Sequence, residues 1–212
     1  RHVVIDTLIR RSSCRQVVEV AAGFSPRGCM VSGNPDYRYF EVDLPEVVAL
    51  KRVQLENSTI GRAVLARPNY TLLAGDITQL DFTHPFAAEP TMVVSEGIMM
   101  YFKRDTQMSI WQNIARFIRA NGGEYVFDYI PIDDEPPRSS LGQFLSDLRQ
   151  RLTHPPPPFA YDERTRDDVR ADLIKAGFSF VEAIDTHTVA RDWSLPHAEV
   201  RTRTIIYRCR VG

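Results

Sequence analysis

The chain has 212 residues, 43% of them hydrophobic, which is enough to bury a sizeable core and too many for general disorder. Its 26 basic and 27 acidic residues give a formal net charge of −1, so charge gives no reason to expect nucleic acid or an anionic membrane as the partner. Three widely spaced cysteines form neither a disulfide framework nor a zinc pattern, so we expect a reducing cytoplasm. No apolar run could span a bilayer. A chain of this length commonly folds as one domain, which we also expect here.

Short apolar segments, rich in β-branched or aromatic residues, recur along the first two thirds of the chain. They are Gln16 to Val20, Tyr39 to Val42, Tyr70 to Ala74, Thr91 to Ser95 and Glu124 to Ile130. Near-continuous apolar runs of this length are typical of strands buried on both faces of a sheet. We therefore predict five strands of a mostly parallel sheet.

Segments with helical spacing separate these strands. Pro45 to Asn57 begins with a Pro-Glu pair that suits a first helical turn. Arg104 to Ala120 carries apolar residues at spacings of three and four and stops at two glycines, Gly122 and Gly123. This alternation of strands and helices predicts right-handed crossovers and a doubly wound α/β sheet.

The end of the chain departs from the alternation. Arg166 to Ala176 predicts a helix closed by Gly177, followed by a strand from Phe178 to Ala183. The link from Asp185 to Val200 has the composition of a loop, and Thr202 to Cys209 predicts a last strand. Two consecutive strands without a helix between them predict an antiparallel edge pair, which brings the sheet to seven strands.

A proline-rich stretch from about 132 to 165 interrupts the pattern. One interpretation is a surface insertion, which loops tolerate well. We favour the other, a lid placed beside the substrate, because long loops in compact domains are often functional. The whole chain, 1–212, is then one domain with a lid insertion.

The ends of the first two strands predict a cofactor site, because ligands of open parallel sheets bind at the carboxyl ends of the strands. Small residues, Ala21 and Gly23, follow the first strand and let a ligand approach the backbone. Asp43 ends the second strand 20 positions after Gly23, where an acid can accept hydrogen bonds from the hydroxyls of an adenosine ribose. Asp43 could instead cap the following helix, and Glu41 lies on the same side of the strand.

Two further strand ends carry acidic residues. Asp76 could accept from an adenine amino group with Ile77 packed on the ring, or it could simply form a turn. Glu96 follows an apolar strand, where a buried carboxylate needs a partner. That partner could be a cationic ligand such as a sulfonium, or an arginine.

Four stretches of the chain have a motif-like sequence: Val17 to Gly23 (VVEVAAG), Tyr39 to Pro45 (YFEVDLP), Glu96 to Phe102 (EGIMMYF) and Phe127 to Tyr129 (FDY). They resemble the leucine carboxyl methyltransferase family, which also includes O-methyltransferases of polyketide synthesis. The resemblance covers nearly the whole chain. It implies a class I methyltransferase fold, S-adenosylmethionine as methyl donor, and a carboxylate or hydroxyl acceptor on a small molecule or a peptide.

The resemblance also implies roles for single residues that match the family motifs. Arg1, before a helix pattern from Ile5 to Ile9, matches the arginine that pairs with the methionine carboxylate of the cofactor. The other matches are Gly23 in the cofactor loop, Asp43 at the ribose, Asp76 and Ile77 at the adenine, Glu96 after the fourth strand, and Tyr101 at the end of the same motif.

The cofactor loop departs from the family pattern. The family sequence is Gly-Ala-Gly, one residue and Asp-Thr-Arg, whereas this chain has Ala21 in place of the first glycine and Ser25-Pro26 in place of Asp-Thr. A methyl group then stands where the backbone approaches the cofactor. The family also has a helical segment before the arginine, and since the sequence begins at Arg1 without a Met, we expect chain that precedes it.

Catalysis is the least determined part of the prediction. Tyr101 is the candidate for positioning the acceptor, and His154, in the predicted lid, is the candidate base; no cluster of side chains has metal-ligand spacing. One alternative function is an oxidoreductase that binds a dinucleotide such as NAD, although the Gly-x-Gly-x-x-Gly loop that cradles a pyrophosphate is missing. Another alternative is a protein that binds S-adenosylmethionine without turnover.

Overall fold

A seven-stranded sheet organises the computed structural model, which describes residues 1–80, 86–132, 164–196, 198–199 and 203–212. The strands are β1 (Gln16–Val20), β2 (Arg38–Asp43), β3 (Tyr70–Ala74), β4 (Thr91–Ser95), β5 (Gly123–Tyr129), β6 (Phe180–Asp185) and β7 (Ile205–Arg210). Their spatial order is β3-β2-β1-β4-β5-β7-β6. The strands from β3 across to β5 pair in parallel, and β7 is antiparallel to both β5 and β6. The predicted doubly wound, mostly parallel sheet with an antiparallel C-terminal strand is confirmed.

Helices cover both faces of this sheet. They are α1 (His2–Arg11), α2 (Arg27–Val31), α3 (Pro45–Glu56), α4 (Thr59–Leu65), a 3₁₀ turn (Met99–Tyr101), α5 (Arg104–Asn121), α6 (Arg166–Ala176) and α7 (Thr186–Asp192). The sequence signals explain the bounds of the long helices. Pro45 occupies the start of α3, a capping box of Thr165 and Asp168 starts α6, and Gly177 ends it in a left-handed conformation with φ 114°.

The sequence patterns did not predict three short helices, α2, α4 and α7. α2 and α4 have five and seven residues, too few to produce a clear apolar period. The prediction of a loop after Asp185 was wrong for α7. That helix begins there because the Asp185 carboxylate accepts hydrogen bonds of 2.9 Å from the backbone N–H groups of His187 and Thr188.

The core consists of two layers, one on each face of the sheet. On one face, α5 packs Trp111 and Ile114 against Phe127 of β5, and all three side chains are fully buried. On the other face, Ile5 and Ile9 of α1 are equally buried. Burial of each such side chain contributes about 1.5–3 kcal/mol. This double coverage explains why β1, β4 and β5 are nearly continuous apolar runs.

The predicted lid insertion lies outside the described residues except at its two ends. There, the backbone N–H of Ile132 donates a hydrogen bond of 3.1 Å to the carbonyl of Arg164. The Arg164 side chain is buried and donates 2.8 Å to Asp172 of α6 and 2.7 Å to the Tyr129 hydroxyl of β5. Ile132 and Arg164, the described residues on either side of the insertion, are therefore held next to each other.

Within the described part of the chain, no helix is both long enough and apolar enough to cross a membrane.

Candidate functional site

The candidate site lies where the strand order reverses, because β1 has β2 on one side and β4 on the other. Parallel strands end at a common edge, and a crevice opens where the connections diverge to the two faces. A cavity of about 190 Å³ occupies this position. Its lining includes Arg1, His2, Glu19, Ala21, Ala22, Ser25 and Glu96.

The loop after β1 has an unusual backbone. Ala21 and Gly23 both have positive φ, 53° and 52°. Glycine adopts this left-handed conformation freely, whereas an alanine in it loses about 1–2 kcal/mol. The backbone N–H of Ala22 bonds to the carbonyl of Val42 at 3.3 Å, and the N–H of Ser25 bonds to the carbonyl of Ala22 at 3.0 Å, so the loop is a tight turn that rests on β2.

Asp43 connects β2 to that loop. Its Oδ2 accepts a hydrogen bond of 2.6 Å from the backbone N–H of Gly23, and its Oδ1 accepts one of 2.8 Å from Leu44. The predicted alternative, a helix cap, does not apply, because the N-cap residue of α3 is Leu44. Glu41 is buried near the same loop, and its carboxylate pairs with Lys51 of α3. Of the two carboxylates, Asp43 is therefore the one beside Gly23.

The residues predicted to contact adenine follow β3 at the same edge. The Oδ1 of Asp76 accepts hydrogen bonds of 2.8 Å from both the backbone and the hydroxyl of Thr78, which makes it a turn-forming aspartate. Ile77 is only 7% exposed and packs in the core with Val20 and Val42. The N–H of Gly75 bonds to the carbonyl of Asp43 at 2.8 Å, which keeps this turn next to the end of β2.

Arg1 and Glu96 are in direct contact. The Nε of Arg1 donates 2.7 Å to Glu96, and its Nη1 donates 3.0 Å to the buried carboxylate of Asp128. His2 Nδ1 also lies 2.6 Å from Glu96. The arginine partner that the sequence analysis offered for Glu96 is thus present, and it is Arg1 together with Arg27.

The pKa of Glu96 and the pKa of Asp128 are shifted in opposite directions from their ordinary values. Burial of Glu96 opposes its ionisation, but hydrogen bonds and charge from Arg27, His2 and Arg1 outweigh burial and lower its pKa. Burial raises the pKa of Asp128, and a hydrogen bond of 2.5 Å from the backbone N–H of Gly97 only partly offsets it. Glu96 is therefore the firmly ionised acid of the cavity.

Arg27, which the sequence analysis did not single out, is the central cation under the site. It is 2% exposed and pairs with three carboxylates: Asp6 and Glu96 at 2.6 Å each, and Glu19. The Tyr39 hydroxyl donates a further 2.8 Å hydrogen bond to Glu19. The available signal was its place in the family loop motif, four residues after Gly23.

Of the two predicted catalytic residues, the structure describes Tyr101 but not His154. Tyr101 ends the 3₁₀ turn and is 45% exposed; Gln107 of α5 holds that turn by donating 2.8 Å to Met99 and 3.0 Å to Phe102. His154 lies outside the described residues. In the ranges that the structure describes, no group of three or more His, Cys or acidic side chains could hold a metal ion.

Comparisons with known proteins agree with the geometry. The family model described as leucine carboxyl methyltransferase matches residues 1–115. The chain is 29% identical over 157 residues to leucine carboxyl methyltransferase 1 of Eremothecium gossypii, covering 64% of this chain and 47% of that protein. It is 27% identical over 181 residues to a proposed S-adenosyl-L-methionine-dependent methyltransferase of Mycolicibacterium paratuberculosis, covering 82% and 55%. The chain thus spans about half the length of these relatives.

Solved structures share the fold at low sequence identity. A proposed O-methyltransferase from Nostoc punctiforme superposes with a TM-score of 0.63 at 17% identity, covering 97% of this chain and 54% of that one. The glycopeptide N-methyltransferase MtfA, crystallised with S-adenosylmethionine, gives 0.60 at 15% identity, covering 97% and 85%. These likenesses identify the fold as that of class I S-adenosylmethionine-dependent methyltransferases.

Proposed function

The chain belongs to the leucine carboxyl methyltransferase family, and from this premise we propose that it transfers a methyl group from S-adenosylmethionine to an oxygen atom of an acceptor. S-adenosylmethionine is the cofactor of this family. The observation that carries the proposal is the cavity at the carboxyl ends of β1 and β4, where Arg1, Ala21 and Glu96 meet. The proposed acceptor group is a carboxylate or a hydroxyl.

The residues around the cavity fit this cofactor chemically. Asp43 accepts two backbone hydrogen bonds, and an ionised carboxylate has about four acceptor positions, so it retains capacity for the two ribose hydroxyls. Arg1 is the proposed partner of the methionine carboxylate. Asp76 and Ile77 are proposed at the adenine, and the left-handed turn at Ala21 and Gly23 exposes backbone for close approach.

Bound S-adenosylmethionine supplies an activated methyl group on a sulfonium. The chain itself must then orient the acceptor oxygen and exclude water, and orientation alone can supply about 7–11 kcal/mol of the barrier. Glu96, whose pKa is lowered, stays ionised at the cavity, where it pairs with Arg1 and Arg27. Tyr101 is the proposed residue for positioning the acceptor.

We favour a carboxylate acceptor, on a small molecule or a peptide. A carboxylate is already ionised near pH 7 and needs no base, whereas an alcohol or a phenol needs one. The Eremothecium relative carries leucine carboxyl in its name, which supports the same choice. His154 remains the proposed base for a hydroxyl acceptor.

A binding protein without turnover is the second candidate, and two observations favour it. Ala21 holds a strained conformation where the family has glycine, and Arg1 is already engaged by Glu96 and Asp128. The NAD alternative has less support, because the loop from Ala21 to Pro26 lacks the glycines that a pyrophosphate requires.

Calorimetric titration with S-adenosylmethionine, its demethylated product and NAD tests the proposal. We expect saturable binding of the first two and none of NAD. Methyl transfer from radiolabelled S-adenosylmethionine to a panel of carboxylic acids, peptides and phenols then separates an enzyme from a binding protein. Binding of NAD alone would overturn the proposal, and cofactor binding without transfer to any acceptor would favour the second candidate.

A further inference from the structure

A buried lysine of α3 contacts the cofactor loop. We call the side of the loop that faces β2 its inner side and the side that faces α3 its outer side. The inner side rests on β2 through the hydrogen bonds of Ala22 and Gly23. On the outer side, the Nζ of Lys51, from α3, donates a hydrogen bond of 2.8 Å to the carbonyl of Ser25. One narrow cleft is lined by Gly23, Asp43 and Lys51 together, so the lysine is part of the loop's immediate surroundings.

Lys51 is buried, which is unusual for a lysine in the middle of a helix. It is 5% exposed, and an ammonium group out of water is costly without a counter-ion. Glu41 provides that counter-ion from β2 and is itself 1% exposed. The contact between the two side chains is an ion pair.

Gly28, in α2, leaves the space that the Glu41 carboxylate occupies. A Cβ added to Gly28, in α2, would stand 2.2 Å from the Oε1 of Glu41. Glycine at this position therefore permits the carboxylate to sit beneath the loop. The groups that face Glu41 are Lys51 from α3, the Tyr70 hydroxyl from β3, the Cys29 thiol from α2, and Glu19 from β1.

We propose that Lys51 is a positioning residue that fixes the cofactor loop for S-adenosylmethionine, and that Glu41 keeps its ammonium group beneath the Ser25 carbonyl. The inference rests on the proposed function, because affinity for S-adenosylmethionine is what it explains. Removal of Lys51 frees the outer side of the loop while Asp43 still holds the inner side.

The pair also makes cofactor affinity depend on pH. Burial raises the pKa of Glu41 to about 7, although Lys51 opposes the shift. Above that pH Glu41 is ionised and retains the ammonium group. As the pH falls below it, Glu41 takes up a proton, Lys51 loses its counter-ion, and the loop loses its outer hydrogen bond. Affinity therefore falls on acidification from pH 8 to pH 6.

Three variants test the proposal by calorimetry with S-adenosylmethionine. Lys51→Met should bind about tenfold more weakly, the loss expected for one hydrogen bond to a charged group. Glu41→Gln should show the same weakening at pH 8, and its affinity should converge with that of the unchanged chain toward pH 6. Any effect of pH on the ligand itself is common to both proteins and cancels in the ratio of their affinities.

The double variant, Lys51→Met with Glu41→Gln, separates positioning from mere stability. It removes both buried charges, so its melting temperature should recover above that of Lys51→Met. Its affinity should stay low, because the Ser25 carbonyl still lacks its donor. Affinity within twofold of the unchanged chain in the folded double variant would overturn the inference.

Calorimetry distinguishes a failure of the proposed function from a failure of the inference about Lys51. If the unchanged chain binds no S-adenosylmethionine at pH 8, the proposed function fails and the inference falls with it. If the unchanged chain binds but the ratio of its affinity to that of Glu41→Gln is the same at pH 8 and pH 6, only the inference fails. That second comparison uses only the conservative Glu41→Gln, so poor folding of Lys51→Met does not block the test.

Discussion

The carboxylate of Asp43 accepts a 2.6 Å hydrogen bond from the backbone N–H of Gly23, and this contact joins the end of β2 to the loop after β1. The two residues are 20 positions apart in the chain, and they become neighbours because β1 and β2 pair in parallel with Val20 opposite Val42. One side chain thereby orders the loop while it keeps acceptor positions for a ligand. The acid that the sequence suggests for a ribose is also a structural part of the loop.

Asp43→Ala should therefore reduce both loop order and cofactor affinity. We expect S-adenosylmethionine to bind at least about tenfold more weakly, and the free energy of unfolding to fall by about 1–3 kcal/mol because the Gly23 N–H loses its partner. Calorimetry and urea unfolding measure the two effects. Glu46→Ala, an exposed acid three residues later in α3, is the matched control and should change affinity little. Equal losses in both variants would show that Asp43 has no special role.

Ala21→Gly should improve the loop. Since Ala21 has a φ of 53°, glycine removes a strain of about 1–2 kcal/mol, part of which is offset by the greater freedom of glycine in the unfolded chain. We expect a stability change between zero and about +1 kcal/mol, together with tighter cofactor binding. Ala22→Gly is the control; Ala22 lacks a positive φ, so that change should destabilise by about 0.4–1 kcal/mol. The expectation is wrong if both changes destabilise the protein alike.

Glu96 should contribute stability that disappears in acid. Its pKa is lowered in the folded protein from an ordinary value of 4.5, so its contribution is fully present above that pH and is lost as the pH falls toward the folded pKa. Glu96→Gln should cost about 2 kcal/mol at pH 6, and the difference from the unchanged chain should shrink as the pH falls below 4.5. Urea unfolding across this range checks it. A difference that stays constant with pH would contradict the assignment.

Arg164→Met should weaken the anchor at the two ends of the insertion. Arg164 is buried, and its loss leaves Asp172 and the Tyr129 hydroxyl without a 2.8 Å and a 2.7 Å hydrogen bond. We expect a loss of about 3 kcal/mol in urea unfolding. Lys175→Ala removes an exposed partner 3.8 Å from the same Asp172 carboxylate and should change stability by less than about 1 kcal/mol. If the two variants lose the same free energy of unfolding, the buried hydrogen bonds of Arg164 do not stabilise the ends of the insertion.

Much of the fold can be predicted from the sequence because its signals are local. The strands at Gln16–Val20, Tyr70–Ala74 and Thr91–Ser95 have the bounds that their apolar runs predict, and the helix at Arg166–Ala176 has the bounds that its glycine stop predicts. A strand covered on both faces must be apolar throughout, and a helix end needs its own cap. The ends of these strands, and hence the edge that carries the candidate site, follow directly.

The pairing of the charged side chains depends on the tertiary structure alone. Nothing local in the sequence joins Arg27 to Glu19, Asp6 and Glu96, or Lys51 to Glu41, because these partners are on different elements and the contacts between them are made only when the sheet and its helices pack. A buried charge needs a counter-ion, and in these clusters the counter-ion comes from another element of the fold. The sequence thus determined the sheet, its family and the acids at its strand ends, whereas packing decided which of those acids face the cavity and which are neutralised beneath it.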